Sequence, residues 1–149
     1  MRTLGLDLGR RRIGVAISDP TGAFARELQV IVRTSKQGDL ASLKDLVHQW
    51  KVGRVIVGHP RKLNGERGAE ARWAERYAKE LEEALGLPVV LWDEWLSTVQ
   101  AEREFRDGGR RVKRKELHAR AAAIILQDYL DAKRAGEQGC HGEEGRISL

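Results

Sequence analysis

The sequence predicts an α/β fold: a mixed five-stranded sheet, three antiparallel strands and then two parallel ones, with helices on both faces. Three observations predict it. Alternating apolar runs at Leu4–Leu8, Ile13–Ser18 and Leu28–Val32 are joined by short turns, as in an antiparallel meander. Val55–Val57 and Val89–Trp92 are short and wholly apolar, and each follows a stretch with helical spacing. The order β-β-β-α-β-α-β-α-α therefore puts hairpins first and helical crossovers after them, which covers the sheet on both sides.

Taken in order, Leu4, Leu6 and Leu8 alternate with Gly5 and Asp7, the period of a half-buried strand. Asp is unfavourable inside a strand, and the glycine beside it signals that another element approaches the backbone closely. Gly9-Arg10-Arg11-Arg12 reads as a basic hairpin tip, and Pro20-Thr21-Gly22 as the next turn. Leu40, Leu43, Leu46, Val47 and Trp50 recur at helical spacing, with Asp39 as N-cap and Gly53 past the end. Val55–Val57, apolar throughout, suits a strand buried on both faces; it ends in Gly58-His59-Pro60, and a polar loop runs on to Gly65 and Gly68.

Trp73, Tyr77, Leu81 and Leu85 then mark the inner face of a helix from about Ala69 to Leu85, stopped by Gly86 and Pro88. The strand Val89–Trp92 runs into Asp93-Glu94, and the capping-box form of Ser97–Gln100 opens a short helix to Asp107. Gly108-Gly109 breaks it. Residues Arg106 to Lys115 hold six basic residues and one acid, read as an exposed loop. A last helix, about Lys115 to Lys133, is expected to bury Leu117, Ala121, Ile124, Ile125 and Leu130. One domain thus covers residues 1–134, and the Gly- and Glu-rich remainder, 135–149, reads as a flexible tail.

The single cysteine, Cys140, excludes an internal disulfide, and no Cys/His spacing suits zinc. With 33% charged residues and a formal charge of +5, the chain fits a protein that meets a polyanion locally, and also a heat-adapted surface of ion pairs. No apolar run approaches the ~20 residues of a membrane span, and no signal-peptide core precedes the first strand. The expected location is cytoplasmic, without membrane contact.

Asp7-Leu8-Gly9, Arg12-Ile13-Gly14-Val15-Ala16 and Ser18-Asp19 together resemble the opening signature of the YqgF/RuvX family of Holliday-junction resolvase-like nucleases. Val57-Gly58-His59-Pro60, Asn64-Gly65, Asp93-Glu94 with Ser97-Thr98, and Ala122-Ala123-Ile124-Ile125-Leu126 match later motifs in order, so the likeness reaches about Lys133. The resemblance implies an RNase H-like sheet and a metal-dependent endonuclease that hydrolyses phosphodiester bonds, with a part in processing the 5′ end of pre-16S ribosomal RNA. In such sites, acids from separate elements hold one or two Mg²⁺ or Mn²⁺ ions, hard cations that favour oxygen ligands.

Carried over by motif, Asp7 is the central ligand and Glu94 the second; Asp93, its neighbour, faces the other way on a strand unless a turn brings it in. The third family acid would open the last helix, where this chain has His118. Histidine can ligate Mn²⁺ through a neutral nitrogen or carry a proton beside a metal, so this departure favours Mn²⁺ over Mg²⁺. The expected catalytic set is Asp7, Glu94 and His118. A second departure is Trp95, where the family places Arg; Trp92 and Trp95 read as strand-end packing or as a surface for base stacking.

Arg10, Arg11 and Arg12 at the hairpin, with Arg110, Arg111, Lys113, Arg114 and Lys115 before the last helix, would border one groove and hold phosphates. The expected partner is nucleic acid, structured RNA or branched DNA, met by a monomer or weak homodimer. Alternatives are a Holliday-junction or branched-DNA resolvase, and a binding module whose site has decayed at His118. A third is an ATPase: Asp7-Leu8-Gly9 also resembles the phosphate loop of the actin-like enzymes. That reading needs a second domain and a second phosphate loop, and neither is evident in 149 residues.

Overall fold

The computed structural model describes residues 1–61, 68–95, 114–139 and 146–148, with side chains for 1–59, 68–93 and 117–136. The strands β1 (Arg2–Leu8), β2 (Arg12–Ser18) and β3 (Ala25–Val32) precede α1 (Lys36–Trp50), β4 (Val52–Arg61) and α2 (Ala69–Leu85). Then come β5 (Val89–Trp95), α3 (Arg114–Gly139) and β6 (Arg146–Ser148). The sheet order is β3-β2-β1-β4-β5-β6. β1, β2 and β3 pair antiparallel, and β4 and β5 continue from β1 in parallel, as the sequence predicts.

The sixth strand was not expected. β6 pairs antiparallel with β5, Ile147 opposite Leu91, and α3 runs on to Gly139. Part of the segment read as a flexible tail is therefore regular structure. The open edge of β5 offers unpaired backbone donors and acceptors, and the Arg-Ile-Ser triplet pairs with Val90, Leu91 and Trp92 of it.

Alternation along the strands divides the core into two layers. Leu4 and Leu6 of β1, Val55 and Val57 of β4, and Leu91 of β5 pack with Leu43, Val47, Tyr77 and Leu81 of α1 and α2. On the opposite face Ala16, Ile56 and Val90 pack under Ala122, Ile125, Leu126, Tyr129 and Leu130 of α3. Trp92 belongs to this second layer, its ring edge-on to Tyr129 at 5.4 Å, so it packs between strand and helix. Trp95 has its side chain outside the described residues.

Several local readings shift. Ser35, not Asp39, caps α1, its hydroxyl accepting the Gly38 N–H at 3.0 Å. Asp39 lies buried in the first turn and accepts the Thr34 N–H at 3.1 Å and Arg33 Nε–H at 3.4 Å. The helix ends at Lys51, itself left-handed (φ 52°), rather than at Gly53. In α3 the expected core residue Ile124 is 47% exposed, while Ala119, Ala122, Leu126 and Tyr129 are buried. Small residues face the sheet because the helix lies directly on glycines: a Cβ at Gly5 would come 2.8 Å from Leu126 Cβ. Arg114 and Lys115, expected in a loop, open α3 instead. The short helix expected from Ser97 to Asp107 lies outside the described residues.

Candidate active site

Asp7 lies next to the C-terminal end of β1, opposite Gly14 of β2, and faces α3. Open α/β sheets bind ligands at such strand ends. The start of α3 is seated on the hairpin by glycines. A Cβ on Gly14 would fall 1.9 Å from the His118 carbonyl oxygen, and one on Gly9 would fall 2.7 Å from His118 Cε1. With no side chain at either position, His118 descends until its Nδ1 is 3.1 Å from Asp7 Oδ2. The two side chains keep 32% and 22% of their surface exposed, so the pair is accessible from solvent.

A carboxylate facing an imidazole nitrogen can do two things. It accepts the Nδ1–H and so fixes the tautomer, leaving Nε2 as the nitrogen it does not engage. Alternatively, oxygen and nitrogen together offer two donors to one divalent cation. The pair fits such a cation as a partial donor set, and no group of three ligands occurs among the described residues. Glu94 pairs with Pro60 in the β4–β5 register, and its side chain lies outside the described residues.

Asp93 is not brought to this pair. It sits on the α2 face, its Oδ1 3.0 Å from His59 Nδ1, while His59 Nε2 lies 2.6 Å from Glu75 Oε2. His59 is fully buried. The ring thus bridges two carboxylates, one on β5 and one on α2. Sequence reasoning missed this cluster. Its legible signals are a histidine two places after the apolar run Val55–Val57 and the motif Val57-Gly58-His59-Pro60.

Ser18-Asp19, which closes the opening signature, serves the β2–β3 turn. The Ser18 hydroxyl accepts the Thr3 N–H at 2.8 Å and donates to the Asp19 carbonyl. The Asp19 carboxylate accepts from the Thr21 hydroxyl at 2.7 Å and from the Ala23 and Phe24 amides. The Thr21 hydrogen bond, ahead of the backbone amides, holds that carboxyl below its ordinary range.

Of the predicted basic groove, Arg10 and Arg11 are exposed at the hairpin tip and Arg12 is half-buried at the start of β2. Arg110, Arg111 and Lys113 lie outside the described residues, as do the side chains of Arg114 and Lys115. Arg10 and Arg11 instead line a cleft of about 900 Å³ with residues of α1 and α2.

Residues 1–132 match the family described as RuvX, Holliday junction resolvase. The chain belongs to the RuvX family. It is 46% identical over 138 residues to a candidate pre-16S rRNA nuclease of Geobacillus kaustophilus (strain HTA426), covering 90% of this chain and 100% of the relative. A relative of the same description from Anaeromyxobacter sp. (strain Fw109-5) is 46% identical over 137 residues, covering 91% and 100%. Among solved structures, Thermus thermophilus RuvC in complex with Holliday junction substrate superposes with a TM-score of 0.55 at 19% identity, covering 100% of this chain and 99% of that one. The fowlpox virus Holliday junction resolvase gives 0.51 at 13% identity, covering 89% and 99%. This RuvX chain is a nuclease by family, and its fold is that of the RuvC-like resolvases.

Proposed function

We propose that this RuvX chain is a divalent-metal-dependent endonuclease that cuts precursor 16S ribosomal RNA near its 5′ end, from a centre built on Asp7, His118 and Glu94. One observation carries the reading: the Asp7 carboxylate at a strand end lies 3.1 Å from a histidine that two glycines, Gly9 and Gly14, allow to approach. The names of the 46%-identical relatives support the RNA substrate. The family description supports branched DNA as the second reading.

Neighbouring strand positions face opposite ways. Asp93 is engaged with His59 on the α2 face, which supports Glu94 over Asp93 as the second carboxylate beside Asp7. A bound Mg²⁺ or Mn²⁺ would supply an activated water and a Lewis acid for the leaving oxygen, and the His118 nitrogen favours Mn²⁺. Asp7 Oδ2 and His118 Nδ1, 3.1 Å apart, would hold the ion between them, and the N–H of that tautomer is then on Nε2, at the other side of the ring. Arg10, Arg11 and Arg12, with Arg110, Arg111, Lys113, Arg114 and Lys115, position the substrate through its phosphates. The enzyme acts in the cytoplasm as a monomer or weak homodimer; no helix among the described residues is long and apolar enough to cross a membrane.

The test incubates wild type, Asp7→Asn and His118→Asp with a precursor rRNA fragment and a four-way DNA junction, in Mg²⁺ and in Mn²⁺. Asp7→Asn is expected to reduce cleavage to background while keeping the fold, and His118→Asp to move the preferred ion from Mn²⁺ toward Mg²⁺. Undiminished cleavage by Asp7→Asn, or a wild type that binds both substrates and cuts neither with either ion, overturns the reading.

A further inference from the structure

A second feature lies on the other face of the sheet. The cleft of about 900 Å³ runs between the hairpin tip, the end of β3 and the first turns of α1 and α2. That volume is at the upper end of small-ligand pockets, roughly 300–1,000 Å³. Its walls carry Arg10, Arg11, Arg33, Lys36 and Arg76 against only two acids, Asp39 and Glu70.

The pairing of these charges separates scaffold from free groups. Arg33 donates to the Gly9 carbonyl at 3.0 Å and to Asp39 at 3.4 Å, and its guanidinium covers the Trp73 ring at 4.6 Å. Asp39 is thereby occupied, and Lys36 is paired with Glu80 at 2.6 Å. Arg10, Arg11 and Arg76 have no ion pair among the described residues, and all three are exposed. Trp73 has Arg33 over its ring and the tilted ring of Tyr77 6.0 Å away. A fixed indole beside free guanidinium groups suits an unstacked nucleotide, since the base can stack while the phosphates meet the cations.

The cleft and the candidate centre share the hairpin tip. Gly9 lines the cleft and also abuts the His118 ring, so the hairpin tip is a ridge with Asp7–His118 on one side and the cleft on the other. We propose that this cleft holds a single-stranded flank of the nucleic-acid substrate, its phosphates on Arg10, Arg11 and Arg76 and one base against Trp73. The inference rests on the nucleic-acid reading of the centre and extends the bound strand over the tip.

The test measures binding of fluorescent single-stranded RNA, about twelve nucleotides long, to the full chain in EDTA, so that no signal depends on cleavage. Arg76→Ala is expected to lower the slope of log K against log salt by about 0.7, so the affinity lost between roughly 50 and 200 mM salt shrinks about 2.6-fold. Lys79→Ala, exposed on α2 outside the cleft, is expected to keep the wild-type slope. A 5-iodouridine oligomer is expected to crosslink to Trp73. Equal slopes for Arg76→Ala and Lys79→Ala, or crosslinks that avoid Trp73, overturn the cleft and leave the nuclease centre standing. An Arg76-dependent slope in a wild type that never cuts supports the cleft and removes the centre. Equal dependence on Arg76 for a blunt duplex of the same length overturns the single-strand assignment.

Discussion

Replacing Gly14 by Ala tests how packing builds the site. The added Cβ would stand 1.9 Å from the His118 carbonyl oxygen and 2.2 Å from its carbon, and both are backbone atoms that cannot rotate away. Real Cβ atoms stay beyond 3.0 Å, so α3 must lift by about 1.1 Å at His118. Overpacking of this kind costs about 1–3 kcal/mol, which in a chain of this length lowers the melting temperature by roughly 2–4 °C per kcal/mol. The same displacement stretches the 3.1 Å Asp7–His118 contact beyond hydrogen-bond length. A misplacement near 1 Å can cost about a hundred-fold in rate. Thermal melts and cleavage assays on Gly14→Ala should therefore show both losses. Gly22→Ala is the matched control: Gly22 has φ +77° and nothing within 4 Å of the added carbon, so it should lose ~1 kcal/mol of stability from backbone strain and no specific activity. A Gly14→Ala protein with wild-type melting and wild-type cleavage would refute the seating of α3 on the hairpin.

Two further perturbations separate scaffold from chemistry. His59→Leu removes the ring between Asp93 and Glu75, whose side chains are 19% and 25% exposed and so regain part of their hydration; a loss of about 1–3 kcal/mol is expected in urea melts, and an unchanged midpoint would contradict the cluster. Tyr77 has a buried hydroxyl without a hydrogen-bond partner among the described residues, and burial pushes its phenol up to about 12. Because the unfolded chain then releases this proton first, the contribution is intact below pH ~10 and falls as pH rises toward 12, by on the order of 2 kcal/mol. Tyr77→Phe should be neutral or stabilising by up to about 1 kcal/mol at pH 7 and should flatten that alkaline fall. A marked loss at pH 7 would show that the hydroxyl has a partner.

Period-2 and period-3.6 patterns carried most of the fold, because burial on one face is written locally in each segment. Gly5 beside Asp7 announced a close neighbour, and α3 is that neighbour. What escaped the sequence depends on which groups meet across the fold. The inward stripe of α3 is set by glycines more than a hundred positions away, so Ile124 was placed on the wrong side. Asp39 looks like a cap until Ser35, four residues earlier, is found capping the start of the helix. His59 finds its partners 16 and 34 residues along the chain, and Arg33 acquires its role from Gly9 and Trp73. Strand alternation puts Asp93 and Glu94 on opposite faces, and Asp93 lies against His59 on the α2 face.

Asp7 and His118 are separated by 111 positions, nearly the full length of the domain. During synthesis the hairpin leaves the ribosome long before the last helix exists, and even then that helix must fold and dock before its first turn reaches the carboxylate. A growing chain thus holds only half of the pair.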